Sequence, residues 1–302
     1  MTDIHRIEHA RIGVEDLEAA VSFYTDGLGL VEFEQKDGVV YLGCGRDDNY
    51  DVGLIEGETG IEHFAVRATD ASVVEEYEQR LEGADVSTER TDGNEPGQEA
   101  GVRFSLPSGV AMEVVAVSDD KYQHFEEPKV SRGGQAPADV NHIQFLTPDV
   151  VADMEFLRDS VGLKISEIAG SPDDPEIAFA RCKTFHHDVA LKSSQALGET
   201  DNTSLHHLAF GFDSADHLVN FIDSAVNAGC EFERGIGRHH GGNNIYAYIW
   251  TPGGNRLELN TQMATLTREE PEISEDYESA TVAWGPDAPE SFTKGSGLLH
   301  KK

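Results

Sequence analysis

Apolar and polar positions along the chain alternate between two periods, and the same order of periods recurs. Leu17, Ala20, Val21, Tyr24 and Leu28 lie on one face of a helix that opens at Asp16. A short strand carrying His9 precedes this helix, and strand segments such as Val39-Val40-Tyr41-Leu42 follow it. The unit reads as βα followed by further strands. Its landmarks return later in the chain: His142 follows His9 by 133 positions, and Asp149, Phe156 and Gly162 follow Asp16, Phe23 and Gly29 by the same interval. A fixed offset over several landmarks is the mark of a duplicated domain.

Each half contains a second unit of the same kind. Ile61-Glu62-His63-Phe64-Ala65-Val66 leads into a helix near Asp70, and Leu205-His206-His207-Leu208-Ala209-Phe210 leads into one near Asp216. Both second units close on a Pro-x-Gly turn and a strand with one glutamate: Pro107-Ser108-Gly109 before Glu113, and Pro252-Gly253-Gly254 before Glu258. Four βα-containing modules therefore pair into two domains. The expected boundaries are an N-terminal domain over 1–118, a linker over 119–139, a C-terminal domain over 140–263 and an acidic tail over 264–302. The linker contains Glu126-Glu127-Pro128 and Gly133-Gly134 and has no apolar period. The tail is irregular, with Trp284-Gly285-Pro286 as its expected anchor, and is expected to wrap around the domain or stay partly disordered.

Composition narrows the possible partners. Of 302 residues, 38% are hydrophobic, and no run of eighteen apolar residues occurs, which excludes a helical membrane span. The N-terminus has no basic and then apolar segment, so a cytoplasmic location is expected. Cys44, Cys182 and Cys230 are isolated, which argues against a disulfide framework and a thiolate metal site. Any metal must be held by His and carboxylate. Against 56 acidic residues stand 23 basic ones, a net charge of −33 that disfavours nucleic acid and anionic membrane as partners. The acids are spread along the chain, as expected of a solvated, halophile-type surface in a high-salt cytoplasm.

Against this background His142, His207 and Glu258 stand out. Two histidines and one carboxylate at module-equivalent positions match a facial triad, which holds a metal on one side and leaves the other open for ligands. Adjacent strand residues face opposite ways, so only one of His206 and His207 is expected to enter the cavity. Aligning Ala65 with Ala209 selects His207 and leaves His206 facing outward. His187, His239 and Tyr248 are further polar residues of the second half. The first half keeps His9, His63 and Glu113, but Arg103 and Asn94 stand where Tyr248 and His239 would be. The second half is longer between its two candidate ligand histidines, and His187 is expected in the extra material. The first half is accordingly expected to be a structural partner, a second metal on His9, His63 and Glu113 being left open.

Taken together, Leu205-His206-His207, His187-Asp188-Val189-Ala190 and the run from Arg238-His239 through Ile245-Tyr246-Ala247-Tyr248 to Pro252-Gly253-Gly254-Asn255-Arg256-Leu257-Glu258 resemble the extradiol, catechol 2,3-cleaving dioxygenases of the vicinal oxygen chelate superfamily. The resemblance covers about Ile4 to Asn260. It implies an α+β fold of two tandem domains, each of two βαβββ modules forming an open, incompletely closed barrel around a cavity. It also implies Fe(II), or Mn(II), on His142, His207 and Glu258, with catalytic roles for His187, His239 and Tyr248 and no organic cofactor. His187 would hydrogen-bond the reduced oxygen and return a proton, while His239 and Tyr248 would position the substrate hydroxyl. Substrates would be a catechol and O2, and the assembly a homo-oligomer. Two other readings remain: a glyoxalase-like isomerase or lyase on the same fold, and a non-enzymatic small-molecule binder.

Overall fold

Alternation along each strand decides how the chain layers itself. A computed structural model describes residues 3–118, 135–195 and 203–296. The first half runs β1 (Ile4–Val14), α1 (Leu17–Ser22) with a π turn over Phe23–Gly27, β2 (Val31–Lys36), β3 (Val39–Gly43) and β4 (Val52–Glu56). It continues with β5 (Gly60–Ala68), α2 (Ala71–Gly83), β6 (Glu89–Arg90), β7 (Gln98–Ser105) and β8 (Ala111–Val117). The second half repeats the order: β9 (Asp139–Thr147), α3 (Val150–Phe156) with a π turn over Leu157–Val161, β10 (Lys164–Ser171), β11 (Asp174–Arg181) and β12 (Val189–Ser193). Then come β13 (Ser204–Gly211), α4 (Ala215–Asn227), β14 (Glu231–Arg238), β15 (Ile245–Trp250) and β16 (Arg256–Thr261). This is the expected α+β succession of four βαβββ modules.

The strands form two sheets, neither closed on itself, in the orders β2-β3-β4-β1-β5-β8-β7-β6 and β14-β15-β16-β13-β9-β12-β11-β10, with one more strand added to the second as described below. The two modules of each half meet at an antiparallel pair, β1 with β5 and β9 with β13. Inside a module the first and last strands run parallel, as β1 with β4 and β13 with β16. One face of each strand feeds the apolar core: Ile143 and Phe145 of β9, Leu208 and Phe210 of β13, Ala247 and Ile249 of β15, Leu257 and Leu259 of β16 all belong to one buried cluster that also takes in the first half. The intervening residues point the other way, into the concave side of the sheet. On that side lie His142, Tyr248 and Glu258.

Helix starts follow the expected chemistry. Asp16 and Asp149 cap α1 and α3, each accepting from a backbone N–H at 2.9 Å, and Asp70 caps α2. The fourth helix departs slightly: Ser214 is its cap and Asp216 lies in its first turn.

A pair of buried carboxylates ties the halves together. Asp51, just before β4, accepts from Cys44 N at 2.6 Å and from Val140 N of the other half at 3.0 Å. Asp188, just before β12, accepts from Cys182 N at 2.7 Å and from Ile7 N of the first half at 3.3 Å. The two clamps are counterparts under the repeat. Asn255 Nδ2 donates to Gly13 O at 2.8 Å and Tyr77 Oη to Val161 O at 2.8 Å, adding polar links across a shared apolar interface.

The segment after β16 is built into the second half. β17 (Glu272–Ser274) pairs in parallel with β10 as the end strand of the second sheet, α5 (Tyr277–Thr281) follows, and a 3-10 turn over Glu290–Thr293 brings Phe292 into a buried cluster with Tyr246 and Tyr248. Its described part is ordered, and the expected anchor at Trp284-Gly285-Pro286 holds through its backbone, Trp284 O accepting from Arg238 N at 2.8 Å and Pro286 O from Arg234 Nε at 3.2 Å, while the Trp284 side chain is 51% exposed. Buried Arg256 is a second anchor, donating to Lys294 O and Ser291 O as well as to Glu233. Of the expected linker, residues 119–134 lie outside the described residues, and Asp139 is already the first residue of β9.

Candidate metal centre

Register carries three side chains to one point. His142 of β9 stands opposite Ala209 of β13, and Ala209 stands opposite Glu258 of β16. His142 Nε2 lies 3.2 Å from His207 Nε2, and the two nitrogens lie 3.4 and 3.2 Å from Glu258 Oε2. All three residues are buried. The first half repeats the register: His9 faces Ala65, and Ala65 faces Glu113.

The hydrogen bonds behind the histidines settle which nitrogen faces the centre. His142 Nδ1 sits 2.9 Å from Asn141 Oδ1, and Asn260 Nδ2 donates to that same oxygen at 2.9 Å while lying farther, at 3.5 Å, from the ring. His142 therefore carries its proton on Nδ1. His206 Nε2 lies 2.9 Å from Phe292 O, an acceptor, so this nitrogen holds the proton of His206. The bare Nδ1 of His206 then accepts from His207 Nδ1 at 2.8 Å. Each ring turns Nε2 inward, and burial, with the neighbouring imidazoles second, pushes His207 far below its ordinary range, so it stays neutral and its Nε2 is a lone pair. The two Nε2 atoms and Glu258 Oε2 thus converge within 3.4 Å of one another. Among the described residues no Arg or Lys pairs with Glu258, whose ion-pair partners are the two histidines. The donor set fits a divalent cation bound through nitrogen and oxygen.

His206 is thus not an outward residue. It is fully buried under Phe292 and orients His207. Simple alternation fails here because the β9–β13 ladder slips between Leu205 and His207. Leu205 and Leu208 both reach the core, and the two histidines between them share the other side, as a β-bulge allows.

The remaining candidate residues gather at one pocket. His142, His187, His239, Tyr248 and Glu258 line it together with Phe179, Tyr277, Thr281 and Phe292. Tyr248, opposite Glu258 across β15 and β16, donates from Oη to Glu258 Oε2 at 2.7 Å. His239 Nε2 lies 3.0 Å from Tyr248 Oη, and its Nδ1 lies 2.5 Å from Thr281 O. The ring of His187 packs at 4.3 Å between centroids against His142. Burial, reinforced by Glu258, raises Tyr248 well above its ordinary range, so its hydroxyl keeps its proton. His187 is driven well below, chiefly by burial, and His239 is lowered because burial outweighs its attraction to Glu258. Burial alone would raise Glu258, but attraction to His142 and hydrogen bonds reverse this, and it stays a carboxylate.

His187 does not lie in inserted chain. Ala10 pairs with Val52 and Ile143 with Val189, so His187, two residues before β12, is the counterpart of Tyr50, two residues before β4. Tyr50 stacks on His9 at the same 4.3 Å centroid distance. Residues that sequence reading passed over also contribute. Asn244 Nδ2 donates to Glu258 Oε1 at 3.0 Å, and Thr281 and Phe292 reach in from the tail. The doublets His186-His187 and His206-His207 were the only visible signal, because in each the first ring backs the second through Nδ1.

The first-half cluster has different electrostatics. His9 Nε2 and His63 Nε2 face the two oxygens of Glu95, a buried residue between β6 and β7, at 3.2 and 3.3 Å, although His9 Nε2 makes no well-formed hydrogen bond. Arg103, at the position matching Tyr248, places Nη2 2.8 Å from Glu113 and 3.2 Å from His63 Nε2. Arg11 adds a second contact to Glu95 at 3.4 Å. The two histidines and the guanidinium groups balance the carboxylates here, in a cluster whose His9, His63, Glu95 and Glu113 also come close enough together to hold a metal.

Comparison with known proteins agrees with this architecture. The family described as Glyoxalase/Bleomycin resistance protein/Dioxygenase superfamily matches residues 6–114 and 139–259, one match per half. A manganese-dependent 2,3-dihydroxybiphenyl 1,2-dioxygenase of Geobacillus genomosp. 3 is 24% identical over 284 residues, 85% of each chain. An iron-dependent extradiol dioxygenase of Rhodococcus jostii (strain RHA1) is 22% identical over 301 residues, covering 94% of this chain and 97% of that one. The crystal structure of homoprotocatechuate 2,3-dioxygenase from Arthrobacter globiformis superposes with a TM-score of 0.82 at 26% identity, covering 98% of this chain and 92% of the other.

Proposed function

The chain belongs to the Glyoxalase/Bleomycin resistance protein/Dioxygenase superfamily, and on that footing we propose that it is an extradiol dioxygenase. It would insert both atoms of O2 into a catechol beside the vicinal hydroxyls and release a 2-hydroxymuconic semialdehyde-type product. Family membership alone leaves isomerase and binding roles open, since the superfamily includes them by name. The observation that carries the reading is the convergence of His187, His239 and Tyr248 on the pocket of the His142, His207 and Glu258 centre, and in the second half alone. An isomerase or a binder has no evident use for all three.

A metal on His142, His207 and Glu258, Fe(II) by preference and Mn(II) as the other candidate, would serve as Lewis acid and electron conduit between the diol and dioxygen. The protein's own groups do the rest. Tyr248, protonated and already hydrogen-bonded to Glu258, positions a substrate hydroxyl, with His239 holding the tyrosine from behind. His187, neutral and buried, takes a proton from the substrate side and returns it to oxygen. Phe179, Tyr277 and Phe292 exclude water and give an aromatic ring apolar walls. We assign the catalytic domain to 140–263 completed by the tail, and regard 1–118 as its non-catalytic partner. A cytoplasmic homo-oligomer belongs to the same reading, with exposed Phe232 and Ile236 of β14 as surface to cover.

The test is to load the protein with Fe(II) without air and then add oxygen with each of a panel of substituted catechols. Oxygen uptake with a yellow ring-fission product is expected, and no uptake with any of them overturns the proposal. His187→Phe should keep the metal and bind catechol while turnover falls by roughly 10². Loss of metal in that variant would remove His187 from the proton-handling role.

A further inference from the structure

Behind His187 lies a second row of polar groups that the reaction as described does not use. His186 Nδ1 is 3.0 Å from His187 Nδ1, and His186 Nε2 is 3.1 Å from Glu167 Oε2. Ser274 of β17 donates from Oγ to the other oxygen of Glu167. His186 and Glu167 are each 1% exposed. The backbone at Gly241 covers the carboxylate so closely that a Cβ there would lie 2.2 Å from Glu167 Oε2.

We propose that Glu167 and His186 are positioning residues that set which ring nitrogen of His187 carries its proton. Glu167, as a carboxylate, only accepts, so His186 presents Nε2–H to it, and with that single ring proton it leaves a bare Nδ1 toward His187. His187 then donates from Nδ1, and its Nε2 is left as a lone pair for the pocket. A lone pair there can take a proton from a bound hydroxyl, whereas an N–H there could not. The carboxylate state of Glu167 is consistent with its surroundings: burial alone would raise it, but hydrogen bonds from His186 and Ser274 hold it below its ordinary range.

The repeat supplies an internal control. Glu34 of β2 faces Tyr41 as Glu167 of β10 faces Phe179, so the glutamates are counterparts. Glu34 is exposed, and Asn49 stands where His186 does. The glutamate is drawn inward only in the half that has a histidine to hold and a tail strand to cover it.

This inference rests on the catechol-cleaving reading for its consequence, but its geometry can be tested without turnover. The variant is Glu167→Gln, nearly isosteric. With Ser274 still donating to the amide oxygen, the amide NH2 faces His186, which must turn to Nδ1–H, and His187 must then move its proton to Nε2. Imidazole 15N NMR of the metal-free protein, assigned by the loss of signals in His187→Gln, should show a bare Nε2 on His187 in the wild type and a protonated one in Glu167→Gln. In the iron-loaded enzyme kcat should fall about tenfold or more with KM and metal content unchanged. An identical His187 tautomer in both proteins overturns the proposal. Should Glu167→Gln not fold, His186→Phe serves, and a His187 spectrum unchanged there overturns it equally. If the wild type turns over no catechol, the proposed function fails, and the NMR result still decides the positioning role.

Discussion

Replacing His206 with phenylalanine tests the metal centre through a residue that touches no metal. In the wild type His206 accepts from His207 Nδ1 at 2.8 Å and donates to Phe292 O at 2.9 Å. His206→Phe removes the acceptor and leaves the buried Nδ1–H of His207 with nowhere to go. The metal-free protein can escape by moving that proton to Nε2, where Glu258 Oε2 waits at 3.2 Å. The metal-bound protein cannot, because Nε2 is then the ligand. The bound state therefore carries an unsatisfied buried donor, worth about 1–3 kcal/mol. At ~1.4 kcal/mol per decade, metal affinity should fall roughly 10–100-fold, the usual range for groups that orient a ligating histidine. Anaerobic competition against a chelator measures this, and urea unfolding of the metal-free variant reports any general loss of stability separately. His206→Gln can keep both hydrogen bonds and should recover most of the affinity. A dissociation constant within about twofold of wild type for His206→Phe would refute the tautomer assignment and with it the orientation of the site.

Two further outcomes follow from the same structure. Metal analysis should find one ion per chain, and Glu258→Ala should abolish it, because Arg103 and Arg11 already balance Glu95 and Glu113 in the first half; an ion retained by Glu258→Ala would contradict that balance. Asp47, pushed up from 3.8 to about 7 by burial and then by Asp139 and Glu8, binds its proton more tightly folded than unfolded. The stability it contributes is full below the unfolded value and lost as pH rises through the folded one, so Asp47→Asn should be more stable than wild type above about pH 8 and indistinguishable below about pH 4. Equal urea midpoints at high pH would show that the carboxyl is not penalised.

Much of this architecture was legible in the residues. The common offset from His9 to His142 and from Asp16 to Asp149 declared the duplication, and the strands and capped helices fall where those landmarks put them. His142, His207 and Glu258 meet because module-equivalent positions in a repeat share a register, which spacing alone can reveal. Three things were not legible, each for a local reason. A β-bulge put His206 and His207 on one side where alternation predicts two. Length differences between the halves hid the equivalence of His187 and Tyr50, which only strand pairing discloses. The tail looked featureless because its contribution is made largely by backbone carbonyls, Thr281 O to His239 and Phe292 O to His206, and a carbonyl has no residue signature.

Mass analysis of the ring-fission product formed under 18O2 separates dioxygen insertion from every other fate of the diol. Wild-type protein loaded with Fe(II) should place two 18O atoms in each product molecule, with no such product from Glu258→Ala. A product carrying no 18O, or conversion of the diol without oxygen consumption, would contradict it.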